Sequence, residues 1–214
     1  MAMSMEMDES GHERIIMYPM RYVVGIDEAG RGPLAGPVAV GIVKISVNFN
    51  QEFFKGIKDS KKLTYIGREL WFARALDFRK AGKFDFAVSL VSEKIIDRKG
   101  IVYAISLGIK KCLITLEVSK DSQIYLDGGL KAPEKFKNQH TVIKGDEKIP
   151  VISLASIMAK VTRDRKMAEL SKKFPKYNFH IHKGYGTSKH RQAIKKYGLT
   201  VIHRRSFLKT LTST

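Results

Sequence analysis

Apolar residues run unbroken through Tyr22-Val23-Val24-Gly25-Ile26 and stop at Asp27-Glu28, where a stretch dense in glycine and proline, Ala29 to Pro37, begins. A short apolar run bounded by turn residues predicts a buried strand that opens into a tight loop. Pro37 to Ile45, rich in Val and Ile, predicts a second strand, and the short connection makes the two antiparallel. Phe84 to Val91 alternates weakly and predicts a third strand, while Gln123–Leu126 and Thr141–Ile143 predict two more. Between them, Ile101, Ala104, Ile105, Gly108 and Cys112 share one face of a helix. Tyr65, Leu70, Trp71 and Leu76 mark another amphipathic helix, with Trp71 in its packing face. Pro150 opens a long helix that runs to about Lys173 and stops before Pro175. Thr187 to Tyr197 is a basic helix closed by Gly198. The sum is an α/β chain: a mixed five-stranded sheet flanked by helices, with a small C-terminal helical extension.

The 214 residues suit one domain over 19–214, its basic helical region beginning near 175. Residues 1–18 show no clear period and read as a flexible N-terminal tail. The single cysteine, Cys112, excludes an internal disulfide and a cysteine zinc cluster, and its place in the helical pattern makes it a core residue. No apolar stretch nears the roughly 20 residues needed to span a bilayer, and no signal peptide opens the chain, so a cytoplasmic location is expected. The formal charge of +18 points to a polyanionic partner. From Lys160 onward 15 cations face only Asp164 and Glu169, a local balance of +13 that marks a nucleic-acid face.

Asp27, Glu28, Asp127 and Asp146 each fall at or just past the C-terminal end of a predicted strand, the edge where open α/β sheets bind ligands. Asp127 or Asp146 alone reads as easily as a turn residue; the joint placement is what points to a site. Four carboxylates without cysteine favour hard cations, Mg²⁺ or Mn²⁺, and suit the two-metal centre that serves displacement at phosphorus. Adjacent strand residues point to opposite faces, so Asp27 and Glu28 can both act only if the backbone turns at Glu28 or if Glu28 contributes through its carbonyl. The Gly30-Arg31-Gly32 turn supplies backbone N–H groups and one cation for an anionic ligand. Ser60, Lys61 and Lys62 lie in a polar loop suited to phosphate. Lys160 and Asp164 have i, i+4 spacing for an ion pair, and Arg163 is placed to reach a carboxylate or a phosphate. His190 is a candidate phosphate contact, whereas His180, His182 and His203 lack metal-ligand spacing and read as surface or packing residues.

The string Gly25-Ile26-Asp27-Glu28-Ala29-Gly30-Arg31-Gly32-Pro33-Leu34-Ala35-Gly36-Pro37-Val38 resembles the signature of the ribonuclease HII family. Further matches follow in order: Asp59-Ser60-Lys61-Lys62-Leu63, Tyr125-Leu126-Asp127-Gly128, Lys144-Gly145-Asp146, Ala155 to Arg165, Lys183-Gly184-Tyr185-Gly186-Thr187 with His190, and His203-Arg204-Arg205-Ser206-Phe207. The resemblance covers about Tyr22 to Phe207, departing at Leu154 and Gly129, neither of them an acid. It implies a ribonuclease H-like fold and metal-dependent cleavage of RNA in RNA–DNA hybrids, and 5′ to ribonucleotides embedded in duplex DNA, leaving 5′-phosphate and 3′-hydroxyl ends. It implies catalytic and metal-binding roles for Asp27, Glu28, Asp127 and Asp146, a 2′-hydroxyl sensor at Gly30-Arg31-Gly32, and a sugar-stacking ring at Tyr185. Substrate contacts are further expected at Ser60, Lys61, Lys62, Lys160, Arg163 and His190.

A junction resolvase on the same sheet would also cluster carboxylates but needs no hydroxyl sensor. A non-catalytic binding module would set four acids against its own polyanion. The chain is expected to act as a monomer, and Phe207-Leu208 with Thr212-Ser213-Thr214 beyond is too weak a signal to establish a sliding-clamp tail.

Overall fold

The computed structural model describes residues 2–7, 12–18 and 22–208. The first two segments carry β1 (Ala2–Met7) and β2 (Glu13–Tyr18), an antiparallel pair separate from the main sheet. Residues 2–7 and 13–18 therefore pair as strands within the stretch that reads in sequence as a flexible tail. Met3, Met5 and Met7 alternate with Ser4 and Glu6, a period of two that is easily passed over because methionine is an uncommon strand residue.

The chain continues through β3 (Tyr22–Ala29), β4 (Val38–Ser46), α1 (Tyr65–Lys80), β5 (Asp85–Val91), α2 (Glu93–Lys99), α3 (Ile101–Thr115), β6 (Gln123–Asp127) and β7 (Gln139–Val142). It closes with α4 (Gly145–Lys148), α5 (Pro150–Lys173), α6 (Phe179–His182) and α7 (Ser188–Tyr197). The sheet order is β5-β4-β3-β6-β7; β4 is antiparallel to β3 and β5, whereas β6 and β7 run parallel to β3. Parallel β3, β6 and β7 all deliver their C-terminal ends to one edge, which is why acids distant in sequence can meet there.

Alternation sorts the side chains of β3 onto two cores. Val24 and Ile26 join Val38, Val40 and Ile42 against Ile105, Ile109, Cys112 and Leu113 of α3. Val43, Ile45 and Phe86 pack on the other face against Val151, Leu154, Ala155 and Met158 of α5 and Phe72 of α1. Helix α5 lies directly on the sheet backbone: a Cβ at Gly25 would come within 2.4 Å of the Val151 carbonyl, and one at Gly41 within 2.3 Å of the Ala155 oxygen. That close approach carries Ser156 to Asp27, two residues beyond Gly25 on the same face. Trp71 packs against this second core, edge-on to Phe53 at 5.8 Å. A third, smaller core of Ala35, Met167, Tyr177, Phe179 and Ile202 joins the C-terminal region to the glycine loop.

The predicted strand Thr141–Ile143 forms two residues earlier, as Gln139–Val142, because pairing to β6 at the sheet edge sets its register and leaves Ile143 exposed. Phe207 packs against the α3 core and Leu208 is buried, so both residues weighed for a clamp tail belong to the fold; Thr212-Ser213-Thr214 lies outside the described residues. No helix among the described residues is long and apolar enough to cross a membrane.

Candidate active site

Asp27 on β3, Asp127 at the end of β6 and Asp146 at the start of α4 converge, with carboxylate oxygens all within 4.8 Å of one another. Asp27 and Asp146 are buried and Asp127 is half-buried. Each is held from a different direction. Asp27 accepts from the Glu28 N–H at 2.7 Å and from the Ser156 hydroxyl. Asp127 accepts from the Gly145 N–H at 2.7 Å, which ties the β6 end to the turn before α4. The Ser153 hydroxyl donates to the Asp146 carbonyl at 2.6 Å and fixes that turn to α5.

Burial pushes the Asp27 carboxyl well above the usual range; the Ser156 hydrogen bond opposes this, and the charges of Glu28 and Asp127 add to it. Three converging acids with one so disfavoured as an anion are a set that a cation would relieve. All donors are oxygen, which fits a hard divalent cation. Lys61 Nζ, 3.1 Å from Asp146 Oδ2, brings positive charge to the rim. Burial lowers the Lys61 ammonium pKa, but its hydrogen bond to Asp146 and the charges of Asp146 and Asp59 outweigh that and raise it.

Glu28 stands apart from this cluster. Strand β3 continues through Ala29, so no turn intervenes at Glu28. Its carboxylate pairs with Arg31 Nη1 at 3.2 Å. The carboxylate is still near enough for its charge to raise Asp27.

Beyond Ala29 the chain turns at Gly30, with φ of 89°. Glycine is required there twice over, since a Cβ would also sit 1.9 Å from Arg163 Nε. Two fully buried arginines underlie the loop. Arg163 donates to the carbonyls of Pro37 at 2.9 Å and Ala35 at 3.3 Å. Arg204 donates to those of Gly36 at 2.9 Å, Arg31 at 2.9 Å and Gly30 at 2.8 Å. Burial, followed by the charge of Arg163, pulls the Arg204 guanidinium down to about 9.

Tyr185 lies beside the loop, 43% exposed, its ring 5.8 Å from Arg163 Cζ. Its carbonyl contacts His190 Nδ1 at 2.9 Å, His190 Nε2 contacts His203 Nε2 at 3.1 Å, and the Thr200 N–H donates to His203 Nδ1 at 2.9 Å. One tautomer set satisfies the chain: His203 donates through Nε2 to His190, which donates through Nδ1 to Tyr185. His182 stacks on His190 at 4.4 Å. Burial drops both His190 and His203 to about 4, so both rings are neutral near pH 7.

The structure thus gathers Asp27, Asp127, Asp146 and Lys61 at one centre, with the glycine loop and Tyr185 alongside. Lys62 pairs with Glu147 at 2.7 Å and Lys160 with Asp164 at 2.9 Å, the latter as the spacing predicted. Three of the residues expected to contact substrate lie buried in the structure. Ser60, Arg163 and His190 are buried at 3%, 0% and 0% exposure and bonded internally: Ser60 to Ser156 Oγ at 2.8 Å, Arg163 to the loop carbonyls, and His190 to Tyr185. They support groups that face outward. Ser156, Arg204 and Asp59, an acid whose burial and nearness to Asp146 raise its pKa, carry comparable structural weight that the sequence pattern does not reveal. Arg204 in particular is hidden by composition, one cation among the 15 after residue 159.

A model of the family described as Ribonuclease HII matches residues 24–210. A ribonuclease HII of Caldicellulosiruptor bescii is 42% identical over 201 residues, covering 94% of this chain and 93% of that one. Among solved structures, ribonuclease H2 from Pyrococcus horikoshii aligns at a TM-score of 0.66 and 32% identity, over 86% of this chain and 93% of that chain. The ribonuclease HII of Archaeoglobus fulgidus, solved in complex with PCNA, aligns at 0.64 and 28% identity over 85% and 92%. Taken with a sheet that brings these acids together beside a glycine loop, these matches show that the chain belongs to the ribonuclease HII family.

Proposed function

We propose that the chain cuts the RNA strand of RNA–DNA hybrids and duplex DNA carrying embedded ribonucleotides, on the 5′ side of the ribonucleotide, leaving 5′-phosphate and 3′-hydroxyl ends. The observation that carries this reading is the convergence of Asp27, Asp127 and Asp146 within 4.8 Å, three residues in sequence from a loop able to read a sugar hydroxyl. The three aspartates hold divalent metal, Mg²⁺ or Mn²⁺, with Glu28 as the fourth catalytic acid at the rim. Bound there, the metal supplies activation of water and charge stabilisation for displacement at phosphorus.

The protein's own groups do the rest. Ser156, backed by Ser60, orients the Asp27 carboxylate. Lys61, Lys62 and Lys160 meet substrate phosphates. Gly30, Arg31 and Gly32 read the 2′-hydroxyl, the one group that tells RNA from DNA at a given sugar. The exposed Tyr185 ring packs on the next sugar and disfavours a second hydroxyl there. Arg163 and His190 act beneath these contacts. The basic C-terminal region follows the duplex backbone without regard to sequence.

The test is incubation of duplex DNA bearing one internal ribonucleotide with each metal and with chelator. Cutting beside the ribonucleotide that requires metal supports the reading; an intact duplex under every metal overturns it.

A further inference from the structure

Arg163 and Arg204 stand out as buried cations that no carboxylate neutralises within ion-pair distance among the described residues. Each is 0% exposed, and they lie near enough for Arg163's charge to depress Arg204. Two like charges beneath one loop are costly to bury, so their placement calls for a return beyond packing. The side-chain hydrogen bonds they make go to carbonyls of a single segment: Gly30, Arg31 and Gly36 for Arg204, and Ala35 and Pro37 for Arg163, whose Nη1 has no hydrogen-bond partner among the described residues.

The consequence follows from peptide planarity. In a trans peptide the N–H points opposite to the carbonyl of the preceding residue, and no peptide bond in the described chain is cis. With the Gly30 and Arg31 carbonyls drawn inward to Arg204, the N–H groups of Arg31 and Gly32 are turned away from the core. No hydrogen bond among the described residues engages either of them. A Cβ at Gly32 would meet nothing within 4 Å, so the backbone at Gly32 borders open space.

We propose that Arg204 is a specificity-determining positioning residue: its guanidinium fixes the two outward N–H donors that read the 2′-hydroxyl, while Arg163 anchors the second half of the loop. This rests on the reading of the loop as a hydroxyl sensor. A guanidinium suits the task because its planar array of donors reaches three carbonyls at once, which an ammonium cannot do in the same geometry. The residue is itself held in register. Arg204 N–H donates to the Leu34 carbonyl at 2.8 Å, Ala35 bridges to His203, and Asp97 accepts from the N–H groups of Arg205 and Ser206 at 2.9 Å. The C-terminal segment is thereby part of the sensor.

The experiment uses the full chain and a duplex whose cut strand carries a short ribonucleotide tract followed by DNA, with wild type, Arg204→Lys and Arg204→Gln compared. Arg204→Gln is expected to lose about a hundredfold in kcat with little change in KM, as misplacement of a reading group does. Its remaining cuts should spread away from the RNA-to-DNA junction. Arg204→Lys, which keeps the charge, should recover the fold but not the junction preference. Amide exchange at Leu34 and Gly36, bonded at 2.8 Å to the carbonyls of Gly184 and Ile202, should quicken in Arg204→Lys while α5 is unchanged. The proposal is overturned if Arg204→Lys cuts at the wild-type rate and positions. It is equally overturned if both variants lose activity only in proportion to their unfolded fraction with the cut pattern intact. Failure of the wild type to cut at ribonucleotides would remove the sensor reading instead; in that event unchanged exchange at Leu34 and Gly36 in Arg204→Lys refutes the clamp itself, and faster exchange upholds it.

Discussion

Lowering the pH should weaken this protein well before its carboxylates titrate in bulk, because two histidines are buried in the neutral form behind Tyr185. His190 and His203 are 0% and 2% exposed, and burial holds both near 4 against an ordinary value of 6.5. Their folded pKa lies below the unfolded one, so the unfolded chain takes up protons first. The stability they contribute is therefore complete above pH 6.5 and is lost as pH falls toward 4. At about 1.4 kcal/mol for each unit of separation, the gap between 6.5 and 4 is worth about 3 kcal/mol per ring in full, of which about 2 is lost by pH 5. Two rings make about 4 kcal/mol at pH 5, a large part of the roughly 5–15 kcal/mol that holds a domain together. Asp27, raised by burial, works in the opposite sense and gains stability as pH falls, so the Asp27→Asn background removes that opposing contribution. Urea denaturation followed by the fluorescence of the single tryptophan, Trp71, at pH 7.5, 6 and 5 gives the curve directly. A midpoint that holds level from pH 7.5 to 5 refutes the reasoning, as does an equal slope in a His190→Gln/His203→Gln chain.

Three further outcomes are expected. Asp127→Asn should abolish cutting while duplex binding, measured by anisotropy, survives; retained turnover would remove Asp127 from the site. Ser156→Ala takes one hydrogen bond from Asp27 and should weaken metal binding about tenfold, as loss of a ligand's supporting partner does, measured by calorimetric titration. Gly41→Ala drives a methyl into the Ala155 carbonyl and should cost about 1–3 kcal/mol in denaturation while lowering kcat through displacement of α5; an unchanged midpoint would show that α5 is less tightly seated than the 2.3 Å approach requires.

The main elements were legible because their signals are local. Pro150 at the first turn and Pro175 beyond the end delimit α5, which spans Pro150–Lys173 as its pattern predicts. The acids were legible as a group because parallel strands present their C-terminal ends at one edge, and Asp27, Asp127 and Asp146 meet there. What escaped reading is nonlocal. His190 sits on a basic helix and reads as a phosphate contact, yet it is enclosed by Phe179, His182 and His203, which come from other segments. Arg163 reads as a carboxylate or phosphate contact and Arg204 as one more cation of the basic region, because charge counts do not say which way a side chain turns. Their true partners are backbone carbonyls more than 120 residues away in sequence, and carbonyls have no signature in sequence. Glu28 shows the converse. Strand alternation set it against the metal-binding role that the resemblance implies, and the structure pairs its carboxylate with Arg31.

The proposed function has carboxylates and hydroxyl sensor acting on one sugar-phosphate linkage. Its most direct test compares two duplexes identical except for a single 2′-hydroxyl, with products mapped to the nucleotide and their ends determined in the presence of Mg²⁺ or Mn²⁺. One cut is expected, 5′ to the ribonucleotide, with a 3′-hydroxyl and a 5′-phosphate, and an intact all-deoxy duplex. Equal cutting of both duplexes, or a cut 3′ to the ribonucleotide, would contradict it.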